Sequence, residues 1–162
     1  MADSTMIIKS VTENRQSVTA VADDSELLLA LNANTPYRAE AICYMQSPAT
    51  PDLKMRFSYS GTLLYGVGID FVQDPQVAIA TAVSMAGNVI TMPVAQMISG
   101  NTKFIGGSGT STNRSGPLLW CYFWTNSSGT FSYQWAQNTS TAVNTQCIIT
   151  SVLVITDLTA EL

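Results

Sequence analysis

Eleven acidic and seven basic side chains, with many serines and threonines, are the groups in this chain that could do chemistry. No histidine occurs among its 162 residues. That removes Ser-His-Asp and Cys-His catalysis, His-ligated zinc and most general-base schemes at neutral pH. Hydroxyls with no base beside them stay weak nucleophiles. Glycoside cleavage could run on two carboxylates, for instance Asp70 with Asp74. Such pairs arise by chance in most domains, so the sequence points away from an enzyme. Asp23-Asp24-Ser25-Glu26 gathers three more carboxylates, but without the regular acidic spacing of a Ca²⁺ loop it reads as a solvated turn. Gly66 and Gly68 lack the third glycine and the helix start of a phosphate-binding loop. Cys43, Cys121 and Cys147 each lie in an apolar run. An odd count without paired spacing predicts buried free thiols rather than disulfides or a zinc site. No catalytic residue, cofactor or metal ligand is assigned.

Binding chemistry is better represented. Trp120, Tyr122, Trp124, Tyr133 and Trp135 could form a platform for stacking sugars, although aromatics at strand spacing are more often core residues. Asn113-Arg-Ser, Asn126-Ser-Ser and Asn138-Thr-Ser match the glycosylation pattern and read as ordinary turn residues. The N-terminus has no basic start followed by an apolar run, so no secretory signal is expected. The formal charge of −4 and the scarcity of lysine and arginine argue against nucleic acid as a partner. No segment has the apolar length of a membrane-crossing helix.

These residues must be held by strands. A chain of this length buries roughly two-thirds of its unfolded surface and needs no disulfide or metal to fold. Three runs stand out: 25–32, 37–45 and 52–59, separated by loops rich in Pro and Asn. Leu27, Leu29 and Leu31 share one face, and Leu53, Met55, Phe57 and Tyr59 alternate with Lys54, Arg56 and Ser58. They are expected to form three consecutive antiparallel strands, the best-defined slab of the domain. Residues 1–22 read as an N-terminal arm with edge strands at 6–8 and 17–21, and 23–162 as one domain. Residues 63–72 predict a strand whose glycines mark a bulge or a close backbone approach. Strands with a hairpin are expected over 76–96, and a short strand over 102–105. Residues 118–125 and 130–136 read as a hairpin turning through Asn126–Gly129. A last strand, doubly buried, is expected over 147–155. About ten strands and no convincing helix predict an all-β sandwich, jelly-roll-like in its topology.

Between Asp74 and Asp157 the only charged residues are Lys103 and Arg114. Edge strands normally carry charges that discourage pairing with other chains. So long a β-rich stretch without them predicts a surface covered by other subunits, and a patch of about 800 Å² per partner is feasible for this size.

Two segments resemble a family of small all-β virion proteins of tailed phages. The first runs from Val11-Thr12 and Val18-Thr19 through Asp23-Asp24-Ser25-Glu26-Leu27 and Leu29-Ala30-Leu31-Asn32-Ala33-Asn34 to Thr50-Pro51-Asp52-Leu53-Lys54 and Phe57. The second is Gly129-Thr130-Phe131 with Gln134-Trp135-Ala136-Gln137-Asn138-Thr139-Ser140. Together they span roughly half of the chain. The family's Gly-Ser before a basic final strand is replaced here by Thr150-Ser151 before Val-Leu-Val-Ile and Asp157. The resemblance implies a virion structural protein, made in the host cytoplasm and placed on the capsid surface as a decoration protein. The partners it implies are like subunits, as a homotrimer, and the major capsid protein. It carries no catalytic residues. A tail or fibre head that contacts host glycans is the alternative.

Overall fold

The computed structural model describes residues 2–48, 50–51, 53–71, 103–105 and 118–161. Over these, the chain is all-β and forms three antiparallel sheets. Twelve strands are described: β1 (Asp3–Ile8), β2 (Glu13–Arg15), β3 (Ala22–Leu31), β4 (Pro36–Ile42), β5 (Met45–Gln46), β6 (Leu53–Tyr59), β7 (Leu63–Phe71), β8 (Lys103–Ile105), β9 (Leu118–Thr125), β10 (Gly129–Gln137), β11 (Thr145–Cys147) and β12 (Val152–Asp157). One 3₁₀ turn, Thr159–Glu161, follows. A five-stranded sheet has the order β1-β12-β4-β9-β7, and a four-stranded sheet the order β3-β10-β6-β8. A small third sheet, β2-β11-β5, completes the set.

Alternation places the core. In β6, Leu53, Met55, Phe57 and Tyr59 are buried while Lys54, Arg56 and Ser58 between them are not. Tyr37, Ala39 and Ala41 of β4 and Leu119, Cys121 and Phe123 of β9 point into the same interior from the five-stranded sheet. Phe131, Tyr133 and Trp135 of β10 meet them from the other side. The Phe123 and Phe131 rings stack across the two sheets, with centroids 4.9 Å apart and planes 4° from parallel. This aromatic contact joins the two layers of a sandwich. The three cysteines are free and buried within it, and burial pushes the Cys43 thiol well above its ordinary range.

Several expectations fail in one common way. The three runs at 25–59 do not form a slab. β3 and β6 lie in the four-stranded sheet with β10 between them, and β4 lies in the other sheet between β12 and β9. The segments 118–125 and 130–136 are strands but not a hairpin, because β9 pairs with β4 and β7 whereas β10 pairs with β3 and β6. The Asn126–Gly129 turn therefore carries the chain from one sheet to the other. It is clamped from outside, with Asn126 N donating to Thr62 O at 2.8 Å and Tyr59 Oη to Ser127 O at 2.6 Å. The run at 147–155 is split into β11 and β12, with Thr150 between them at φ 71°. Its alternate residues Val152 and Val154 are only half-buried. Alternation reports which face a residue takes; it does not report which strand lies beside it.

Residues 1–22 supply β1, at the edge of the five-stranded sheet, and β2, at the edge of the small one; residues 17–21 form no strand. The glycine expectation in β7 holds. The register shifts between Leu63 and Tyr65, and a Cβ on Gly66 would lie 2.7 Å from Tyr122 O, closer than real contacts allow. The short strand expected at 102–105 is β8. The strands expected over 76–96 lie outside the described residues, as does Asp74.

Candidate functional site

The two outer faces of the sandwich differ in chemistry. Outside the four-stranded sheet, Arg56 donates to Gln134 at 2.7 Å and Gln134 to Asp23 at 2.8 Å, with Ser132 also donating to Asp23. Lys54 and Ser58 lie on the same side. That is a solvated polar surface.

Outside the five-stranded sheet, the register sets apolar residues side by side. Ile8, Val152 and Ile42 form one row, and Met6 and Val154 lead to Glu40 and Trp120 in the next. Trp124 lies between Pro36 and Tyr65 further along. Met6 is 62% exposed, Ile8 56%, Ile42 46% and Tyr65 57%. The Trp120 and Tyr122 rings meet edge to face at 4.5 Å, and Tyr65 leans on Trp124 at 5.7 Å. Arg38 and Glu40 introduce the charges in the middle, with Arg38 Nε 2.9 Å from Glu40 Oε1. That contact is close but not aligned as a hydrogen bond, and the buried Arg38 Nε has no acceptor among the described residues. A half-exposed pair of this kind adds little stability. Scattered surface apolar residues need no explanation, but a contiguous patch marks an interaction site.

The five aromatics therefore separate into two groups. Tyr133 and Trp135 are fully buried, with Trp135 Nε1 donating to Asp24. Trp120, Tyr122 and Trp124 alternate outward from β9 and are half-buried. Only these three remain available to a partner.

The acidic turn is corrected more sharply. Residues 23–26 belong to β3, and Asp24 is fully buried. A register shift between Ser132 and Gln134 of the neighbouring β10 breaks the alternation there, so Asp24 points inward although Leu27 and Leu31 do too. Lys9, also buried, places Nζ 2.7 Å from Asp24 Oδ1 and 3.5 Å from both Glu13 Oε2 and Glu26 Oε2. Burial alone would push the Lys9 amine down, but the Asp24 hydrogen bond and the surrounding carboxylates hold it above its ordinary value. Arg15 stacks on Trp135 at 4.1 Å and reaches Glu13 at 2.6 Å. No group of three or more metal-ligating side chains with metal-site geometry occurs among the described residues.

Glu26 accepts from the Ser10 hydroxyl, from Val11 N at 3.0 Å and from Ser10 N at 3.1 Å. These bonds lower its carboxyl from 4.5 to about 2. A depressed carboxylate contributes stability that is complete above its unfolded value and lost as pH falls through its folded one. The denaturation midpoint should therefore fall between pH 4.5 and 2, and Glu26→Gln should flatten that fall. An unchanged pH profile in Glu26→Gln would remove this carboxylate from the acid response.

No protein-family model and no curated protein matches the sequence. Among solved structures, one of infectious bursal disease virus, Gt strain, aligns over 96% of this chain and 41% of that one, at 11% identity and a TM-score of 0.26. One of the Gx strain aligns over 97% and 37%, at 10% identity and a TM-score of 0.25. The chain spans about two-fifths of the length of these viral chains, and superpositions this loose carry no argument about what it does. Among the described residues, no helix is long and apolar enough to cross a membrane.

Proposed function

We propose that this chain is a non-enzymatic structural protein of a tailed-phage particle, a decoration protein bound as a homotrimer to the outside of the capsid. The observation that carries the proposal is the apolar outer face of the five-stranded sheet, set against a polar face on the opposite layer. Burying it against like subunits or the major capsid protein would remove Met6, Ile8, Ile42 and Tyr65 from water. The order β1-β12-β4-β9 over β3-β10-β6-β8, with sequential strands changing sheets, supports a jelly roll, an architecture common to capsid and lectin domains. The sequence resemblance to tailed-phage virion proteins points the same way.

Met6→Glu with Ile42→Glu tests the interface, because both side chains are exposed and the fold does not need them. Sedimentation should show the trimer replaced by monomer, or capsid attachment weakened at least about tenfold, with little change in melting. Retention of both trimer and attachment would overturn the proposal. Gold-labelled antibody on intact particles should mark the whole head.

The three outward aromatics favour one second reading, a tail or fibre head that stacks host sugars. Label confined to the tail tip, with glycan binding lost in Trp124→Ala, would select it.

A further inference from the structure

We infer that Lys9 and Asp24 are joined by a self-formed amide bond that staples the two sheets together. Lys9 follows β1, and its backbone is tied to the β11–β12 connection: Lys9 N donates to Ser151 O at 2.8 Å, and Thr150 N to Lys9 O at 2.9 Å. Asp24 belongs to β3 on the other sheet. A bond between their side chains would cross the sandwich at one edge, where packing and loops otherwise hold the layers.

The geometry that satisfies a buried ion pair also meets the needs of amide formation. Both side chains are completely removed from solvent, with Nζ and Oδ1 2.7 Å apart. Two further carboxylates, Glu13 and Glu26, flank the amine at 3.5 Å. The backbone N–H groups of Glu26 and Leu27 donate to Asp24 Oδ1 at 3.1 and 3.2 Å, and the Trp135 indole donates to Oδ2 at 3.0 Å. Two backbone donors on one carboxyl oxygen form an oxyanion hole, placed where negative charge grows when the carbon is attacked. Reactants held in contact also gain the large effective molarity of an intramolecular reaction.

The balance closes without a cofactor. The ammonium gives up two protons, and Glu13 or Glu26 relays them to the departing oxygen of Asp24. Nζ bonds to Cγ, the Cγ–Oδ2 bond breaks, and Oδ2 leaves as water. Oδ1 remains as the amide oxygen on its two N–H donors. The surrounding carboxylates favour the ammonium, so attack runs through the neutral amine that forms when Glu13 or Glu26 takes a proton, and the transfer stays internal. Two buried charges become one neutral amide, which removes the desolvation cost that a buried ion pair carries. Exclusion of water also protects the product from hydrolysis.

Intact mass of the full-length protein, measured under denaturing conditions, tests this directly. The expected mass is lower than the sequence mass by one water. Trypsin should release residues 1–15 joined to 16–38, with no cleavage after Lys9. Lys9→Met should restore the full sequence mass. Asp24→Asn should stay linked but lose ammonia instead of water, and Glu13→Gln with Glu26→Gln should slow bond formation. A wild-type chain at full sequence mass, cleaved normally after Lys9, would overturn the inference and leave an ion pair only. That readout depends on no variant being able to fold.

Discussion

Trp135→Ala should cost about 3–5 kcal/mol of folding stability, the range for deleting a buried large aromatic side chain. Trp135 is fully buried on β10, an interior strand that pairs with β3 on one side and β6 on the other. Its loss opens a cavity beside Met55, its register partner on β6, and two further contacts go with it. Arg15, 4.1 Å from the ring, loses its stacking partner, and Asp24 Oδ2 loses the indole donor at 3.0 Å. A domain of this size commands about 5–15 kcal/mol in total, so the variant should melt far below the wild type or fail to fold. Trp120→Ala supplies the contrast. That ring points outward, and its edge-to-face contact with Tyr122 contributes about 1 kcal/mol. Thermal denaturation of the two variants side by side measures the difference. Equal losses would contradict the assignment of one ring to the core and the other to the surface.

The same pair of tryptophans shows what could be read from the chain in advance. Strand positions followed from period-two patterns, most cleanly in β6, because burial of alternate residues leaves a direct mark on residue type. Neighbours left no such mark. The turn at 126–129 has the chemistry of a hairpin, yet it joins two sheets, and nothing local to Asn126-Ser-Ser-Gly129 distinguishes the two uses. The apolar outer face was legible in part, since Leu118 to Trp124 is apolar at every position. Its extent was not, because Met6, Ile8, Ile42 and Val154 become neighbours only through the strand order. The buried charges escape the sequence for a different reason. Asp24 sits beside Asp23 and Glu26 in a stretch that looks solvated, and the irregularity that turns it inward is a property of its pairing with β10. A lone lysine between Ile8 and Ser10, in a chain with few charges, was the available hint.

The second large effect follows from that buried network, and its asymmetry is the informative part. Asp24→Ala strips the acceptor from four donors at once: Lys9 Nζ, Glu26 N, Leu27 N and Trp135 Nε1. It leaves a cation with no solvent access beside carboxylates that are already engaged, Glu13 by Arg15 and Glu26 by Ser10 and Val11. Removing one member of a buried pair typically costs about 3–5 kcal/mol, and Asp24→Ala should lose that much in addition to the amide link inferred above. Lys9→Met removes the other member, but Asp24 keeps three N–H donors, and the methionine fills most of the volume. Beyond the loss of the amide link, which both variants share, its cost should be smaller, about 1–3 kcal/mol. The double variant should lose less than the sum of the two, since the second change removes a group that the first has already stranded. Urea denaturation of the three variants gives the ordering. If Lys9→Met proved the more damaging, the lysine rather than the carboxylate would be the hub of the network, and the N–H groups around Asp24 would not be what holds it in the core.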